Sequence, residues 1–312
     1  MSQDMMVEDG LATLRQKVTQ LLQQHTAYDM LPVSFRLVVF DATLQIPSGL
    51  ALLLQNVWDS ENNAYVGMLT VTDILVLVRH YYDQYAYAEA MSEISNLGLD
   101  AFKDLYRKIT ERSCNTLALH PLKSLYDAAR MLIGTDYHSL ALVDTDTHSA
   151  QDSVVSVLSL YSILRFVSMN FKEKRLLREP LADRQIGTYE EIATATMDTR
   201  VIEVIHVFVD KNISVVPIVD EQGKVVNVFE DKDVMIMARD DALGNLDIPV
   251  CEAIQRRPDD FAGVLTCRIT DTLLSVMDLL RTSQLHRLIV VDEEEHLVGI
   301  VSLSDILRAI ML

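Results

Sequence analysis

The sequence predicts an α/β fold made of four β-α-β-β-α repeats arranged as two tandem pairs. The main observation is an internal repeat, because residues 213–234 align with residues 285–306 without a gap when the numbering is shifted by 72. Two stretches in the first half, GMLTVTDIL at 67–75 and VLSLYSIL at 157–164, match GIVSLSDIL at 299–307. The short β-branched runs in these copies are typical of buried strands.

The best-preserved copy lies near the end of the sequence, where residues 285–306 read LHRLIVVDEEEHLVGIVSLSDI. This pattern predicts a strand, an acidic hairpin, a second strand and a helix that opens at Ser304 and Asp305. Asp233 takes the position of Asp305 in the third copy, and Asp73 takes it in the first. The second copy has Ser162 there, so one of the four repeats lacks the carboxylate.

The first copy is shorter than the others. Leu44 and Trp58 lie 14 positions apart, whereas the matching residues Leu273 and Val291 of the fourth copy lie 18 apart. We therefore expect the strand of the first copy that corresponds to residues 288–291 to be missing or collapsed.

The repeats divide the chain into five segments. These are an N-terminal helical extension at 1–33, the first repeat with a helical connector at 34–110, the second repeat at 111–172, a linker with the third repeat at 173–245, and the fourth repeat at 246–312. Apolar residues recur along one side of a helix predicted at 11–25. That helix either packs on the protein's own repeats, which is the commoner fate of such a stripe, or contacts a partner.

The composition disfavours several functions. A net charge of −18 argues against general binding to nucleic acids or anionic membranes. Cys114, Cys251 and Cys267 have no paired spacing, which favours reduced structural thiols. No secretory signal, membrane-spanning run, phosphate loop or dinucleotide motif is recognisable in the sequence. We therefore expect a binding protein rather than an enzyme.

The repeated aspartate suits a nucleoside phosphate. A carboxylate at the start of a helix can accept hydrogen bonds from both hydroxyl groups of a ribose. Neighbouring hydroxyl side chains can contact sugar or phosphate oxygens, apolar strand edges can enclose a base, and Arg257 and Arg287 can pair with phosphates. The alternative is that Asp233 and Asp305 only cap their helices, a role that aspartate performs well.

The repeat ends GMLTVTDIL, VLSLYSIL, VFEDKDVM and GIVSLSDIL resemble those of CBS (cystathionine-β-synthase-type) domains. Further stretches are similar to the γ regulatory subunits of the AMP-activated and sucrose-non-fermenting protein kinases, among them LVVFDATLQ, LHPLKSLYDAARMLI, IGTYEEIATATMDT, RPDDFAGVLTC and LHRLIVVD. The resemblance covers residues 34–312 and is nearest to fungal members. It implies four CBS domains in a pseudo-symmetric disk.

The resemblance also implies a function. The protein would be a non-catalytic, energy-sensing subunit that binds AMP, ADP and ATP as regulatory ligands and uses no cofactor or metal. Its partners would be the catalytic α subunit and the scaffolding β subunit of a heterotrimeric Ser/Thr kinase, in the cytoplasm and also in the nucleus, with no nucleic acid or membrane. A strand predicted at 35–40 would pair with the β subunit, unless it is an ordinary strand of its own domain.

Three nucleotide sites follow from the resemblance. One site in the second half would use Asp233, Val228, Arg257, Gly263, Leu265, Leu285, His286 and Arg287. The other would use Thr188, Ala193, Ile213, His286, Ser302, Ser304 and Asp305. A site in the first half would use Met68, Thr70, Thr72, Asp73, Leu117 and His138. The repeat without an aspartate is expected to be empty.

The sequence departs from the family pattern in its first half. Ser139, Tyr161 and Ser162 stand where members of the family often carry basic residues. Because these changes withdraw positive charge from the centre, we expect the first-half site to be weak or empty, and to discriminate poorly between mono- and triphosphates. Two other functions stay open: a CBS scaffold or adaptor whose ligand sites have decayed, and an allosteric domain of a metabolic enzyme or channel.

Overall fold

The computed structural model describes residues 3–31, 37, 39–41, 55–61, 63–84, 99–111, 116–146, 151–239, 245–259, 261 and 263–312. Cys114 and most of the strand predicted at 35–40 lie outside these residues. Within them, the chain forms four small sheets, each flanked by helices, and these correspond to the four predicted repeats. The α/β fold is therefore confirmed.

The N-terminal extension contains helix α1 (Gln3–Gln23) and a short 3-10 helix (Ala27–Met30). Repeat 1 contains β1 (Val39–Asp41), β2 (Gln55–Asp59), β3 (Ala64–Leu69) and α2 (Val71–Gln84), and α3 (Leu99–Thr110) follows it. Repeat 2 contains β4 (Ala118–Leu119), α4 (Leu125–Ile133), β5 (Ser139–Thr145), β6 (Asp152–Ser159) and α5 (Leu160–Asn170).

The linker carries a 3-10 helix (Lys174–Leu177) and the short helix α6 (Leu181–Arg184). Repeat 3 contains α7 (Val201–Lys211), β7 (Val215–Val219), β8 (Val225–Glu230) and α8 (Asp231–Arg239). The short helix α9 (Val250–Ile254) leads into repeat 4. That repeat contains β9 (Thr266–Cys267), α10 (Leu273–Ser283), β10 (Arg287–Val291), β11 (Leu297–Ser302) and α11 (Leu303–Met311).

The shift of 72 residues holds element by element. The bounds of α7, β7, β8 and α8 coincide with those of α10, β10, β11 and α11 once the shift is applied. Helices α7 and α10 even end in the same way, because Asn212 and Gln284 both adopt the left-handed conformation, with φ of 50° and 58°. The repeat seen in the sequence is thus a repeat of backbone structure.

The expectation that the first repeat lacks a strand was wrong. Strand β2 is present and pairs antiparallel with β3, in a register that places Val57 opposite Gly67, just as Val290 lies opposite Gly299 in repeat 4. The shortening instead falls before β2. Phe40 and its parallel partner Val57 lie 17 positions apart, whereas Leu119 and Leu142 of repeat 2 lie 23 apart. The difference therefore lies in residues 42–54, outside the described part.

Helix α1 packs on the protein itself. Leu14, Val18 and Leu22 are fully buried in a core shared with α4, α5 and α11. Arg15 Nε also donates to the carbonyl oxygen of Ala309 in α11, at 3.0 Å. Since each buried leucine or valine contributes about 1.5–3 kcal/mol, the stripe on this helix is explained by intramolecular packing.

The repeats contact each other through two kinds of interface. Tandem partners pack sheet against sheet, with Met68 of repeat 1 against Ala141 and Val143 of repeat 2, and Val215 of repeat 3 against Ile289 of repeat 4. Repeats from different pairs pack helix against helix. Helix α2 lies on α7 and α8, and α5 lies on α10 and α11. Each repeat thus contacts two others, which closes a ring of four.

Candidate functional site

A cavity of about 750 Å³ lies where the four repeats meet. In each repeat, the last strand leads directly into the last helix. We call the four residues at this transition the junction of the repeat. The junctions are 70–73, 159–162, 230–233 and 302–305. All four junctions contribute to the lining, with Thr72, Tyr161, Lys232 and Ser304 at equivalent positions. The N-termini of α2, α5, α8 and α11 therefore converge on the cavity, and helix N-termini favour anions.

At the junction of repeat 4, which lines the cavity, the carboxylate of Asp305 accepts hydrogen bonds from the described residues through only one of its two oxygens. Asp305 Oδ2 accepts hydrogen bonds from the backbone nitrogen of Ser302 at 2.9 Å and from its hydroxyl at 2.7 Å, and the Ser302 hydroxyl accepts from Asp305 N at 3.2 Å. This capping box confirms that Asp305 caps its helix. Among the described residues nothing donates to Oδ1, so one carboxylate oxygen stays available to a ligand.

The equivalent aspartate of repeat 3, Asp233, forms an ion pair with an arginine of the same chain. Arg257 donates to both oxygens of Asp233, each at 2.6 Å, and the two side chains are 6% and 5% exposed. The same guanidinium donates to the carbonyl of Val228 at 2.5 Å and to the side chain of Asn227 at 2.9 Å, and it lies 4.0 Å from the ring centre of Phe261. Arg257, proposed from the sequence as a phosphate partner, is therefore engaged with a carboxylate.

The equivalent aspartate of repeat 1 is enclosed. Asp73 is 1% exposed, and its Oδ2 accepts from the backbone nitrogen and the hydroxyl of Thr70 at 2.8 and 2.6 Å. The Tyr106 hydroxyl on α3 also hydrogen-bonds to this carboxyl. Burial raises the pKa of Asp73 more than these hydrogen bonds lower it. The carboxyl group is therefore buried, whereas that of Asp305 is partly exposed and more accessible to a ligand.

The junction of repeat 2 has no carboxylate. Ser159 and Ser162 hydroxyls lie 3.0 Å apart and satisfy each other, and the Tyr161 hydroxyl donates to the carbonyl of Arg281 at 2.9 Å. Ser139 is buried at the edge of the cavity. This junction therefore offers no carboxylate to a ribose.

A cluster of basic side chains faces the cavity. Burial, together with the charges of Lys232, Arg287 and His138, lowers the pKa of His286 to about 4. Burial and the charge of Arg287 also lower the pKa of His138, against an opposing effect of Asp136. Both histidines are therefore predominantly neutral near pH 7, and the cations of this cluster are Lys232 and Arg287. Such a place suits a phosphate.

Asp231 lies beside the same cluster. Burial raises its pKa to about 6, although Arg287 acts in the opposite direction. The guanidinium of Arg287 donates a hydrogen bond to the hydroxyl of Ser214 at 2.8 Å. The guanidinium is thus held in the cavity before any ligand arrives.

The cavity separates the residues predicted from the sequence into two groups. Those that line it are Thr70, Thr72, Asp73, His138, Thr188, Ala193, Ile213, His286, Arg287, Ser302, Ser304 and Asp305. Those that do not line it are Met68, Leu117, Val228, Asp233, Arg257, Gly263, Leu265 and Leu285. The set proposed for repeat 4 is therefore brought together completely. The set proposed for repeat 3 contributes only Arg287 and His286, and His286 belongs to both sets.

Sequence reasoning missed several lining residues. The most informative are Lys211, Asn212, Ser214, Asp231 and Lys232 of repeat 3. The shift of 72 residues could have identified Lys232, since it aligns this lysine with Ser304. Within the described ranges there is no group of three or more His, Cys, Asp or Glu side chains that could hold a metal ion, and no helix is long and apolar enough to cross a membrane.

Comparison with known proteins identifies CBS domains in this chain and a solved structure with the same fold. Residues 185–239 and 260–312, which cover repeats 3 and 4, match the CBS domain family. A protein from Methanocaldococcus jannaschii, described as an archaeal homologue of the AMPK γ subunit, has the same fold, with a TM-score of 0.67 and 17% identity over 91% of this chain and 99% of that one. The fold and its central cavity thus define a four-repeat CBS protein.

The family follows from two curated relatives. The 5'-AMP-activated protein kinase subunit gamma of Kluyveromyces lactis is 38% identical over 95% of this chain and 92% of its own length. The subunit of the same name from Saccharomyces cerevisiae is 36% identical over 98% of this chain and 95% of its own length. The chain belongs to the family of γ subunits of the 5'-AMP-activated protein kinase.

Proposed function

We propose that the chain is a non-catalytic regulatory subunit of a heterotrimeric Ser/Thr kinase and that it binds an adenine nucleotide in its central cavity. The observation that carries this proposal is that Asp305 lines the cavity, that its Oδ2 is fixed by Ser302, and that its Oδ1 accepts no hydrogen bond from the described residues. A preorganised, acceptor-only oxygen of this kind is complementary to the hydroxyl groups of a ribose.

The rest of the cavity complements the other parts of a nucleotide. Ala193 and Ile213 offer an apolar wall for a base, and Ser304 offers a hydroxyl next to Asp305. The phosphates find His286, Arg287 and the converging helix N-termini. A charge-assisted hydrogen bond contributes about 1.5–3 kcal/mol, so two such contacts change the affinity by roughly two to four orders of magnitude.

The regulatory mechanism would be a population shift within the kinase assembly. A nucleotide that binds one arrangement of the subunits more tightly stabilises that arrangement, by no more than its differential affinity. The ring makes such coupling plausible in physical terms, since the cavity is lined by all four repeats and a ligand there contacts both tandem pairs. The α and β subunits would carry the kinase activity and the scaffold.

A thermal-shift screen tests the proposal directly. The purified chain, or its complex with the partner subunits, is heated with AMP, ADP, ATP, GMP or inorganic phosphate. A ligand at 100 times its dissociation constant should stabilise the folded protein by about 2.7 kcal/mol. We expect the adenine nucleotides to stabilise the wild type, and Asp305→Asn to lose most of that effect.

A second function has one observation in its favour. Asp233 and Asp73 are satisfied by the protein's own side chains, as expected for a scaffold whose ligand sites have decayed. The same screen decides between the two functions. If no nucleotide raises the melting temperature while the kinase complex still assembles, the scaffold is correct and the nucleotide proposal is wrong.

A further inference from the structure

A row of cations lies in the linker between the two tandem pairs. Burial in residues 171–178 follows a period of three. Phe171 and Leu177 are buried, at 3% and 0% exposure, whereas Lys172, Arg175 and Arg178 are exposed. We call these last three residues the linker row.

The backbone of the linker explains this period. In its 3-10 helix, the amide of Leu176 donates to the carbonyl of Glu173 at 2.9 Å, and the amide of Arg178 donates to the carbonyl of Arg175 at 3.3 Å. Residues three positions apart on a 3-10 helix lie above one another, about 6 Å apart, because the rise is about 2.0 Å per residue. Arg175 and Arg178 therefore share one side, and Lys172 precedes Arg175 by the same three residues.

The carboxylates of the linker are engaged with other cations. Glu173 pairs with Lys17 of α1 at 2.5 Å, and Glu179 pairs with Arg184 at 2.6 Å. The side chains of the linker row form no hydrogen bond or ion pair with any residue that the structure describes. In a chain with a net charge of −18, the row thus keeps three exposed positive charges.

The linker row stands on a fixed base. Phe171 and Leu177 belong to the hydrophobic core that includes α1 and α10, and the 3-10 helix contacts both of these helices. The ammonium group of Lys174 donates to the carbonyl of Ser168 in the last turn of α5. Met169 in that turn is 62% exposed, and it lies three residues before the row begins, a span of at most about 11 Å. A partner would meet a preformed surface, which lowers the ordering cost of binding.

We infer that the linker row binds an extended segment of a partner protein that carries acidic side chains at alternate positions. Side chains on one face of an extended strand recur about every 6.6 Å, close to the spacing of about 6 Å along the row. Successive carboxylates of such a segment can each contact one cation of the row, and an apolar side chain next to them can contact Met169. This interaction goes beyond the proposed function and does not depend on nucleotide binding.

A short peptide fits this charge distribution better than a larger polyanion does. At physiological ionic strength, exposed charges interact over about 8 Å, so a peptide on the row is little affected by the acidic remainder of the chain. A membrane or a long nucleic acid would also face that remainder, which repels it. The charge distribution therefore favours a peptide.

Fluorescence anisotropy tests the inference with the full chain and two labelled peptides. One peptide alternates glutamate and threonine, and the other has the same composition with its glutamates in one block. The row variant combines Lys172→Gln, Arg175→Gln and Arg178→Gln. The control variant combines Lys123→Gln, Arg256→Gln and Arg268→Gln, which removes three exposed cations elsewhere and gives the same net charge.

We expect the wild type to bind the alternating peptide more tightly than the block peptide, because only every second glutamate of the block faces the row. The row variant should weaken the alternating peptide about tenfold, and the control variant should stay within about threefold of the wild type. Arg175→Gln alone should weaken it about two- to threefold. Urea titration of each variant shows whether it is folded, so that the single change decides the matter if the triple change destabilises the protein.

Three results would overturn the inference. The first is a wild type that does not bind the alternating peptide, and the second is an equal loss of binding in the row and control variants. The third is tighter binding to an oligothymidine or to phosphatidylserine vesicles that the row variant abolishes, since the row would then recognise a different polyanion. A failure of every nucleotide in the thermal-shift screen would leave this inference unaffected.

Discussion

Repeats 3 and 4 share their backbone register but differ at the same aspartate. Asp305 keeps one oxygen open to the cavity, whereas both oxygens of Asp233 are held by Arg257. The strand, the helix start and the position of the carboxyl group are the same in both repeats. The repeat therefore fixes where the carboxylate lies, and residues outside the repeated unit decide whether a ligand can use it.

The chain segments that precede repeats 3 and 4 explain why Arg257 pairs with Asp233 while Asp305 has no such partner among the described residues. The segment before repeat 4 carries Arg257 onto the junction of repeat 3. The corresponding segment before repeat 3 runs along β11, where Thr188 exchanges backbone hydrogen bonds with Ile300 at 2.8 and 2.9 Å. The first segment thus contacts the junction of repeat 3, and the second pairs with β11 just before the junction of repeat 4. Only the segment with the arginine neutralises an aspartate.

The largest change in the free energy of unfolding is expected from Arg257→Ala. This change leaves the carboxylate of Asp233 buried and unpaired, which should lower the free energy of unfolding by about 3–5 kcal/mol. Urea denaturation measures it. The neighbouring Arg256 is exposed, so Arg256→Ala serves as the control and should change stability by less than about 0.5 kcal/mol. Equal effects of both changes would show that the buried pair is not what distinguishes repeat 3.

A smaller change in the free energy of unfolding is expected when the pH is lowered, and it arises from His286 in repeat 4. Burial and nearby cations lower the pKa of His286 to about 4, below its ordinary value of 6.5. The unfolded chain therefore binds the proton more readily, and this contribution to stability is complete above pH 6.5 and is lost as the pH falls from 6.5 to 4. The loss amounts to about 3 kcal/mol, since one pKa unit corresponds to about 1.36 kcal/mol.

His286→Gln isolates this contribution. Its free energy of unfolding should fall less steeply than that of the wild type between pH 6.5 and 4, when both are measured by urea titration. Parallel curves for the wild type and His286→Gln would contradict the assigned environment of this histidine.

The smallest effect concerns the helix caps. Ser302 forms the N-cap of α11, and Ser302→Ala should destabilise the protein by about 1 kcal/mol. The equivalent residue of repeat 3 is Glu230, whose backbone nitrogen alone donates to Asp233, at 2.8 Å. Glu230→Ala should therefore have almost no effect. Thermal unfolding of the two variants measures the contrast, and a larger loss for Glu230→Ala would reverse it.

Much of the fold was predictable because it repeats. The shift of 72 residues located the helices and strands of the second half, and it aligned Asp233 with Asp305. The strand β2 was missed because a shortened stretch between matched residues does not show which element has lost residues. The pairing of Arg257 with Asp233 was missed because it joins residues 24 positions apart, outside the repeated unit. Spacing carries no information about such a contact.

The most direct test of the account is a calorimetric titration with AMP. Three proteins are compared: the wild type, Asp305→Asn and Asp233→Asn, each shown to be folded by circular dichroism. Asparagine can still accept the capping hydrogen bonds of Ser302 but loses the charge that a ribose would contact. We predict that Asp305→Asn weakens AMP by roughly ten- to a hundredfold, and that Asp233→Asn stays within about threefold of the wild type. Undiminished binding by Asp305→Asn would contradict the account.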